Sequence, residues 1–415
     1  MNKEVLHVVN FGGLTDVTIN VNKKFTLILG AQASGKSIIA KLLYFFKGFI
    51  SLRGLSLDPK SIESIESAMA NRFLSLFPER FWPEGAFVID YSFDDIHFFV
   101  KRSSSDVVFS VPFQFKNILN LYLDLRKTAL DSITDKGSET ERSMADFLAS
   151  FSARQQCVEK AREAGFPVGE QFFVIASRSF YSEMNDNMTL LFANKVPMEQ
   201  LLLESYSIIS SAKRAHELNL FKNDNKIQEM IHGILKAEFK KEDEKEYLLH
   251  SDGRKIELQY ASSGQQEAFP LLMVLNYVNG ASKMSTDSIC LYIEEPEAHI
   301  FPSAQKAVVD LISYISNTSQ NIQVILTTHS PYIMSSFNYL IEAGNVVLSD
   351  SSKKEDVEKI VGVNEAIRYD DVYAYMLNNG TSSSLMSDSD KLINPAELDE
   401  VSNAINFSFE KLLDL

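Results

Sequence analysis

One run of residues, Gly30-Ala31-Gln32-Ala33-Ser34-Gly35-Lys36-Ser37, constrains this chain more than any other. It matches G-x-x-x-x-G-K-[ST] in full, and its flanks fit. Phe25-Thr26-Leu27-Ile28-Leu29 reads as a strand buried on both faces. Ser37 to Gly48 reads as a helix with Ile38, Ile39, Leu42, Leu43, Phe45 and Phe46 on a broad apolar side. Glycines let the backbone curl so that its N–H groups point inward, and the helix that follows turns its positive end to the same spot. Strand, loop and helix together predict a cradle for phosphate groups. In such a cradle Lys36 is expected to bridge the β- and γ-phosphates and Ser37 to ligate Mg²⁺.

A second strand pattern supplies the chemistry that a bound triphosphate needs. Ile289-Cys290-Leu291-Tyr292-Ile293 runs into Glu294-Glu295-Pro296-Glu297-Ala298-His299. An apolar strand ending in adjacent carboxylates places them at the sheet edge where the phosphate loop opens. Glu294 is expected to hold Mg²⁺ through water and Glu295 to activate the attacking water. Pro296 stops the strand by removing a donor. Ile322-Gln323-Val324-Ile325-Leu326-Thr327-Thr328-His329-Ser330-Pro331 is a further strand, with His329 at its tip. A neutral imidazole there is expected to sense the γ-phosphate by hydrogen bonding.

Ala261-Ser262-Ser263-Gly264-Gln265-Gln266-Glu267 precedes an apolar helix from Ala268 to Val278. Ser263 with Gln266 has capping-box spacing. The pattern reads either as a capped core helix or as a second anion-binding helix end.

Taken in order, the phosphate loop, Ser-Ser-Gly-Gln-Gln, Glu-Glu-Pro-Glu-Ala-His and Thr-His-Ser-Pro make the chain resemble the ABC ATPase branch that holds SMC and RecF proteins, and its OLD-like members most. The forms Gly-Ala-Gln-Ala-Ser-Gly-Lys-Ser and Glu-Pro-Glu-Ala-His-Ile-Phe-Pro resemble AAA-family ATPases of bacterial phage-defence systems such as Septu, PARIS and some retrons. The resemblance runs from residue 4 to residue 340. It implies a P-loop NTPase of the ABC ATPase head type that hydrolyses ATP with Mg²⁺. It implies a composite site, in which Gly30 to Ser37, Glu294, Glu295 and His329 of one subunit face Ser263, Gly264 and Gln265 of another. A homodimer is then the smallest working unit. The signature departs from transporter ATPases at Ser262 and Gln265, and the first acidic position is Glu294 rather than an aspartate, which argues against a transporter subunit.

The Mg²⁺-linked glutamine of such ATPases has no clear counterpart. Gln171 precedes a strand, Ala176-Ser177-Arg178-Ser179-Phe180 follows it, and Arg178 stands as the candidate nucleotide contact, with a surface arginine as the alternative. OLD nucleases append a Toprim domain. The stretch after His329 is short, and Asp388-Ser389-Asp390 reads as a solvated turn, so any nuclease is expected to be a separate effector protein. The resemblance thus implies a nucleotide-gated sensor and scaffold in antiviral defence. A RecF-like ATPase clamping DNA and a scaffold that does not hydrolyse ATP are the rival readings.

Composition narrows these. The net charge of −15 disfavours broad salt-driven binding to nucleic acid, though a local basic groove stays open. Cys157 and Cys290 lack metal-like spacing and fit a reducing cytoplasm. No signal-peptide pattern and no membrane-length apolar run appears.

The expected class is α/β with a mostly parallel sheet, an N-terminal antiparallel β-meander and a helical insertion. The expected division is 1–113 with the phosphate loop, 114–245 as a mainly helical insertion, 246–345 with the signature, acidic strand end and His329, and 346–415 as a helical tail. The insertion and tail are expected to bind the partner. The charged stretch from Lys240 to Glu246 reads as a solvated hairpin or loop, and an amphipathic helix is expected near 397 to 413.

Overall fold

Close contacts along and between its segments group the chain into two units. The first comprises Met1–Asn22, Ser37–Gln171 and Asn379–Thr381. The second comprises Lys23–Lys36, Phe172–Asn378 and Ser382–Leu415. A computed structural model describes residues 3–51, 65–103, 106–131, 139–184, 196, 198–220, 224–242, 245–284, 287–319, 321–394, 407, 409, 411 and 412.

Strands β1 (Glu4–Phe11), β2 (Leu14–Asn20) and β3 (Phe25–Gly30) come first, followed by helices α1 (Lys36–Ile50) and α2 (Ile65–Leu76). Strands β4 (Phe87–Phe93), β5 (Ile96–Ser103) and β6 (Asp106–Ser110) lead to α3 (Phe113–Asp131) and α4 (Glu139–Glu163). Then come β7 (Gly169–Val174), α5 (Ser179–Met184), α6 (Gln200–Glu217) and α7 (Asn225–Leu235). A small hairpin sheet of β8 (Glu238–Glu242), β9 (Lys245–Leu249) and β10 (Lys255–Glu257) precedes α8 (Ser263–Met284). The rest alternates: β11 (Ser288–Glu294), α9 (Pro302–Thr318), β12 (Ile322–Thr328), α10 (Pro331–Ser349), α11 (Lys354–Val361), β13 (Val372–Asn378) and β14 (Thr381–Ser384).

In the first unit, β6, β5, β4, β1 and β2 are neighbours in that order, each pair antiparallel. Burial alternates along β1 and β4, so Leu6, Val8, Ile89 and Tyr91 point inward. They meet an aromatic core in which Phe45 packs edge-on against Phe46 and Phe73, and Phe98 against Phe115. A buried pair, Lys47 on Glu4, is completed by the Tyr91 hydroxyl donating to Glu4 Oε1 at 2.7 Å.

In the second unit, the order is β13, β3, β12, β11, β7. β3 pairs parallel with both β13 and β12, and β12 pairs parallel with β11. All six residues of β3 are buried, as a strand covered on both faces requires. α8 is buried on nearly every side, from Gln266 to Val278 with only Tyr277 partly exposed, which is why its apolar run shows no single stripe. Register matters most here. Leu29 stands beside Thr328 and Glu294 beside Thr327, so Gly30, Glu295 and His329 follow strand ends at one edge of the sheet.

The tail departs from expectation. Val372–Asn378 is not helical but is β13, mostly buried and paired along its whole length with β3. β-branched and aromatic residues over so short a span suit an interior strand. Most of the helix expected near 397 to 413 lies outside the described residues. The Lys240 to Glu246 stretch forms the β8–β9 hairpin, with Lys241 opposite Glu246; Asp243 and Glu244 lie outside the described residues. Asp388 to Asp390 form an exposed turn. No helix among the described residues is long and apolar enough to cross a membrane.

Candidate functional site

The phosphate loop is shaped by three residues with positive φ: Gly30 (157°), Ala33 (62°) and Gly35 (98°). At Gly30 a Cβ would lie 2.5 Å from Ser34 Oγ and 2.7 Å from the Leu377 carbonyl, so only glycine fits the closely packed strand exit. Ala31, Gln32 and Ala33 form an exposed crown. Ser34 Oγ is buried without a hydrogen-bond partner among the described residues. Lys36 is buried, and its Nζ donates to the carbonyls of Gly30 and Ala31, each at 2.8 Å. Burial pulls its pKa below the usual lysine range, while the negative charges of Glu295 and Glu297 push the other way. Ser37 is the next residue, exposed, and belongs to the first unit.

At the end of β11, Glu294 is buried and its Oε2 accepts the Ala176 N–H at 3.3 Å. Glu295 then takes a left-handed backbone (φ 44°), which a residue with a Cβ adopts only when held. Its N–H donates to the Thr327 carbonyl at 2.9 Å. Its side chain stays about one-third exposed (34%), so the carboxylate can reach a bound molecule.

Glu297, which the sequence reading gave no role, is buried and organises the tip of β12. Its Oε1 accepts from Thr328 Oγ1 at 2.7 Å and from the His329 N–H at 2.8 Å, and lies 3.2 Å from His329 Nδ1. His329 Nδ1 is also 3.7 Å from Glu295 Oε1, and its ring is exposed. Both carboxylates thus lie near Nδ1, as ionic contacts without hydrogen-bond alignment.

The signature helix is capped one residue earlier than its spacing suggests. The box is Ser262 with Gln265: Ser262 Oγ accepts the Gln265 N–H at 3.4 Å, and Gln265 Oε1 accepts the Ser262 N–H at 3.4 Å. Gln265 Nε2 also donates to the Leu235 carbonyl, so its side chain is committed within its own subunit. Gln266 is buried instead and donates to the carbonyls of Leu258 and Gln259. The shift leaves Ser263 exposed at the first turn. Gly264 packs closely as well, because a Cβ there would sit 2.9 Å from the His299 carbonyl.

Arg178 is neither a surface arginine nor a group free to meet a nucleotide. It is 1% exposed, and its guanidinium donates to backbone carbonyls of Glu267, Ile175, Glu294 and Glu295. Burial lowers its pKa, opposed by the charges of Glu267, Glu297, Glu294 and Glu295. Gln171 lies in β7, buried, with its amide on the Gly169 carbonyl. The second unit thus brings together the loop from Gly30 to Lys36 with Glu294, Glu295 and His329, and adds Glu297. Sequence could have pointed to Glu297: it is the third acid of the Glu-Glu-Pro-Glu run, one residue past a strand-stopping proline.

A family model described as an AAA ATPase domain matches residues 181–334, which include the signature, the acidic strand end and His329. No curated protein matches. Among solved structures, the chain is similar to the Smc head domain with an extended coiled coil bound to the C-terminal domain of ScpA, derived from Pyrococcus furiosus. That likeness has 15% identity and a TM-score of 0.40, over 97% of this chain and 100% of that one. The SMC head domain from Thermotoga maritima is similar at 12% identity and a TM-score of 0.37, over 92% and 98%. The recombination mediator protein RecF of the RecFOR pathway is similar at 11% identity and a TM-score of 0.31, over 93% and 98%. The chain's own loop, parallel strand order and matched ATPase stretch define an α/β P-loop NTPase fold.

Proposed function

We propose that this chain is an ATP-hydrolysing ATPase of the ABC type, in the branch of SMC heads and RecF, and that it works as a dimer with ATP held between subunits. The observation that supports it best is the clustering in one unit of a phosphate loop, buried Lys36, a strand-end carboxylate at Glu295 and the Glu297–His329 pair. Lys36 exchanges its two loop carbonyls for the β- and γ-phosphates. Glu295 takes a proton as water oxygen bonds to the γ-phosphorus and the bond to the β–γ bridging oxygen breaks, releasing ADP and phosphate. His329, held beside Glu297, senses the γ-phosphate by hydrogen bonding. Ser263 and the first N–H groups of α8 are presented to the ATP of a second subunit.

The acids Glu267, Glu294, Glu295 and Glu297 surround Arg178, and two of them face Lys36. Among the described residues no group of three or more acids, histidines or cysteines is arranged to hold a metal ion, and Ser37 and Glu294 are assigned to Mg²⁺ by the motif likeness alone. Mg²⁺, when bound, would neutralise charge on the phosphates.

In this reading, ATP turnover gates a scaffold that controls a separate effector, a nuclease, in cytoplasmic antiviral defence. The motif likeness to phage-defence ATPases supports that setting, and the net charge of −15 speaks against a DNA clamp. Phosphate release, ATP binding and sedimentation test the reading. Wild-type protein should turn over ATP, Glu295→Gln should bind ATP and dimerise with only residual turnover, and Lys36→Ala should lose ATP binding. Wild-type release no faster than that of Glu295→Gln would leave only a non-hydrolysing scaffold. A small HNH or Toprim nuclease encoded beside this chain supports the effector role; replication genes there favour the clamp.

A further inference from the structure

Arg178 joins three segments of the second unit. Nη1 donates to the Ile175 carbonyl at 3.2 Å in its own turn and to the Glu294 carbonyl at 2.9 Å at the end of β11. Nη2 donates to the Glu295 carbonyl at 3.0 Å, and Nε to the Glu267 carbonyl at 2.9 Å in the first turns of α8. The Glu267 carboxylate lies 3.4 Å from Nε, an ionic contact without hydrogen-bond alignment. A planar guanidinium can serve acceptors in several directions at once; a lysine ammonium in its place has fewer donors and no fork.

The acceptors on α8 are prepared by the sequence. Pro270 sits inside the helix and has no N–H, so the Gln266 carbonyl lacks its ordinary helical donor. Ser182 Oγ supplies one at 2.9 Å, and Arg178 takes the adjoining carbonyl of Glu267. The acceptor at the other end belongs to the residue with strained backbone. Glu295 is left-handed, its N–H is held by Thr327 and its carbonyl by Arg178.

We propose that Arg178 is a positioning residue for ATP hydrolysis, holding the backbone of Glu295 in its left-handed form and fixing it to the start of the signature helix. The proposal rests on the hydrolytic reading above. In a nucleotide-bridged dimer, the start of α8 serves the partner's ATP while Glu295 serves its own. The strut therefore keeps the two sites in step.

Arg178→Lys is compared with wild type by phosphate release, by binding of a non-hydrolysable ATP analogue and by thermal melting, alone and in a Glu295→Gln background. Turnover is expected to fall about a hundred-fold, as for a misplaced catalytic group. Analogue affinity should change by less than about three-fold, and the Hill coefficient for ATP should drop toward about one. In the Glu295→Gln background, Arg178→Lys should add no further loss of residual turnover. A folded Arg178→Lys protein with turnover within about three-fold of wild type overturns the proposal. So does an equal fractional loss in both backgrounds, which is the mark of a purely structural effect. Should Arg178→Lys not fold, Arg178→Gln decides: its amide cannot serve all the carbonyls at once, a turnover loss of about three-fold or more at unchanged analogue affinity that the Glu295→Gln background abolishes supports the strut, and wild-type turnover refutes it. If wild-type protein itself releases no phosphate, the hydrolytic reading falls and this one with it.

Discussion

Replacing Glu297 should separate stability from catalysis at the tip of β12. In Glu297→Ala the Thr328 hydroxyl and the His329 N–H lose the oxygen they share at 2.7 and 2.8 Å. The site is closed to water, since the Glu297 side chain is 4% exposed. A buried and a part-buried donor left without an acceptor cost about 1–3 kcal/mol each, so a loss of about 2–6 kcal/mol is expected in urea unfolding. The imidazole also loses the partner that fixes its Nδ1 side, 3.2 Å away. If a charge-assisted hydrogen bond of about 1.5–3 kcal/mol is lost in the transition state, turnover falls roughly 10- to 100-fold. Glu297→Gln keeps an amide oxygen for both donors and removes only the charge. Its stability should stay within about 1 kcal/mol of wild type while turnover drops about ten-fold, because a neutral acceptor is roughly half as strong. Denaturant melts and phosphate release read the two effects, and the ¹⁵N shifts of His329 report the loss of its Nδ1 partner. A Glu297→Ala protein that melts like wild type and turns over ATP at the wild-type rate would refute the reasoning.

Three further outcomes test the packing. Gly264→Ala sets a Cβ 2.9 Å from the His299 carbonyl, so the helix start must shift; ATP-dependent dimerisation by sedimentation should weaken while monomer stability falls by no more than about 2 kcal/mol. Gly344→Val in α10 meets the Ile367 carbonyl, only 2.0 Å from a modest Cβ, and should cost at least about 2 kcal/mol in urea unfolding. Burial pushes the Cys157 thiol up to about 11, so it should resist alkylation at pH 8 until the protein is unfolded. The sign for stability follows: the unfolded thiol ionises first, so its contribution is lost as pH rises from about 9 towards 11, read as a falling melting midpoint that Cys157→Ala lacks.

Much of this was legible in sequence because the features are local. The phosphate loop is a contiguous run, and the strands β3, β11 and β12 are continuous apolar segments whose ends carry Gly30, Glu294 and His329. The capping box was off by one because Ser262 and Ser263 are adjacent, with Gln265 and Gln266 at the same spacing. Choosing between them needs the buried carbonyls of Leu258 and Gln259, which claim Gln266. Arg178 was misjudged for a related reason. Its acceptors come from turns about 90 and 120 residues away, and backbone carbonyls leave no mark in sequence. β13 was missed because its apolar run, Val372 to Leu377, is too short for periodicity to tell strand from helix, and its place is set by pairing with β3, far earlier in the chain.

Magnitudes decide whether the bent backbone at Glu295 can persist. A non-glycine residue at φ 44° costs about 1–3 kcal/mol relative to its ordinary conformations. The Thr327 bond returns about 0.5–1.5 kcal/mol, which by itself leaves the strained form marginal. The guanidinium bond to the Glu295 carbonyl adds about 1.5–3 kcal/mol, enough to make the strained form the dominant one. A buried arginine left without acceptors would be costlier still, so the strained turn and the cation hold each other in place. Pro270 and Ser182 extend the same logic into α8, one withholding a donor from the Gln266 carbonyl and the other supplying it. A carboxylate whose backbone is fixed this way need not reorganise when water attacks, the condition under which a general base works best. The strand end and the helix start then move as one body, and a change at either is felt at the other without a path through the nucleotide.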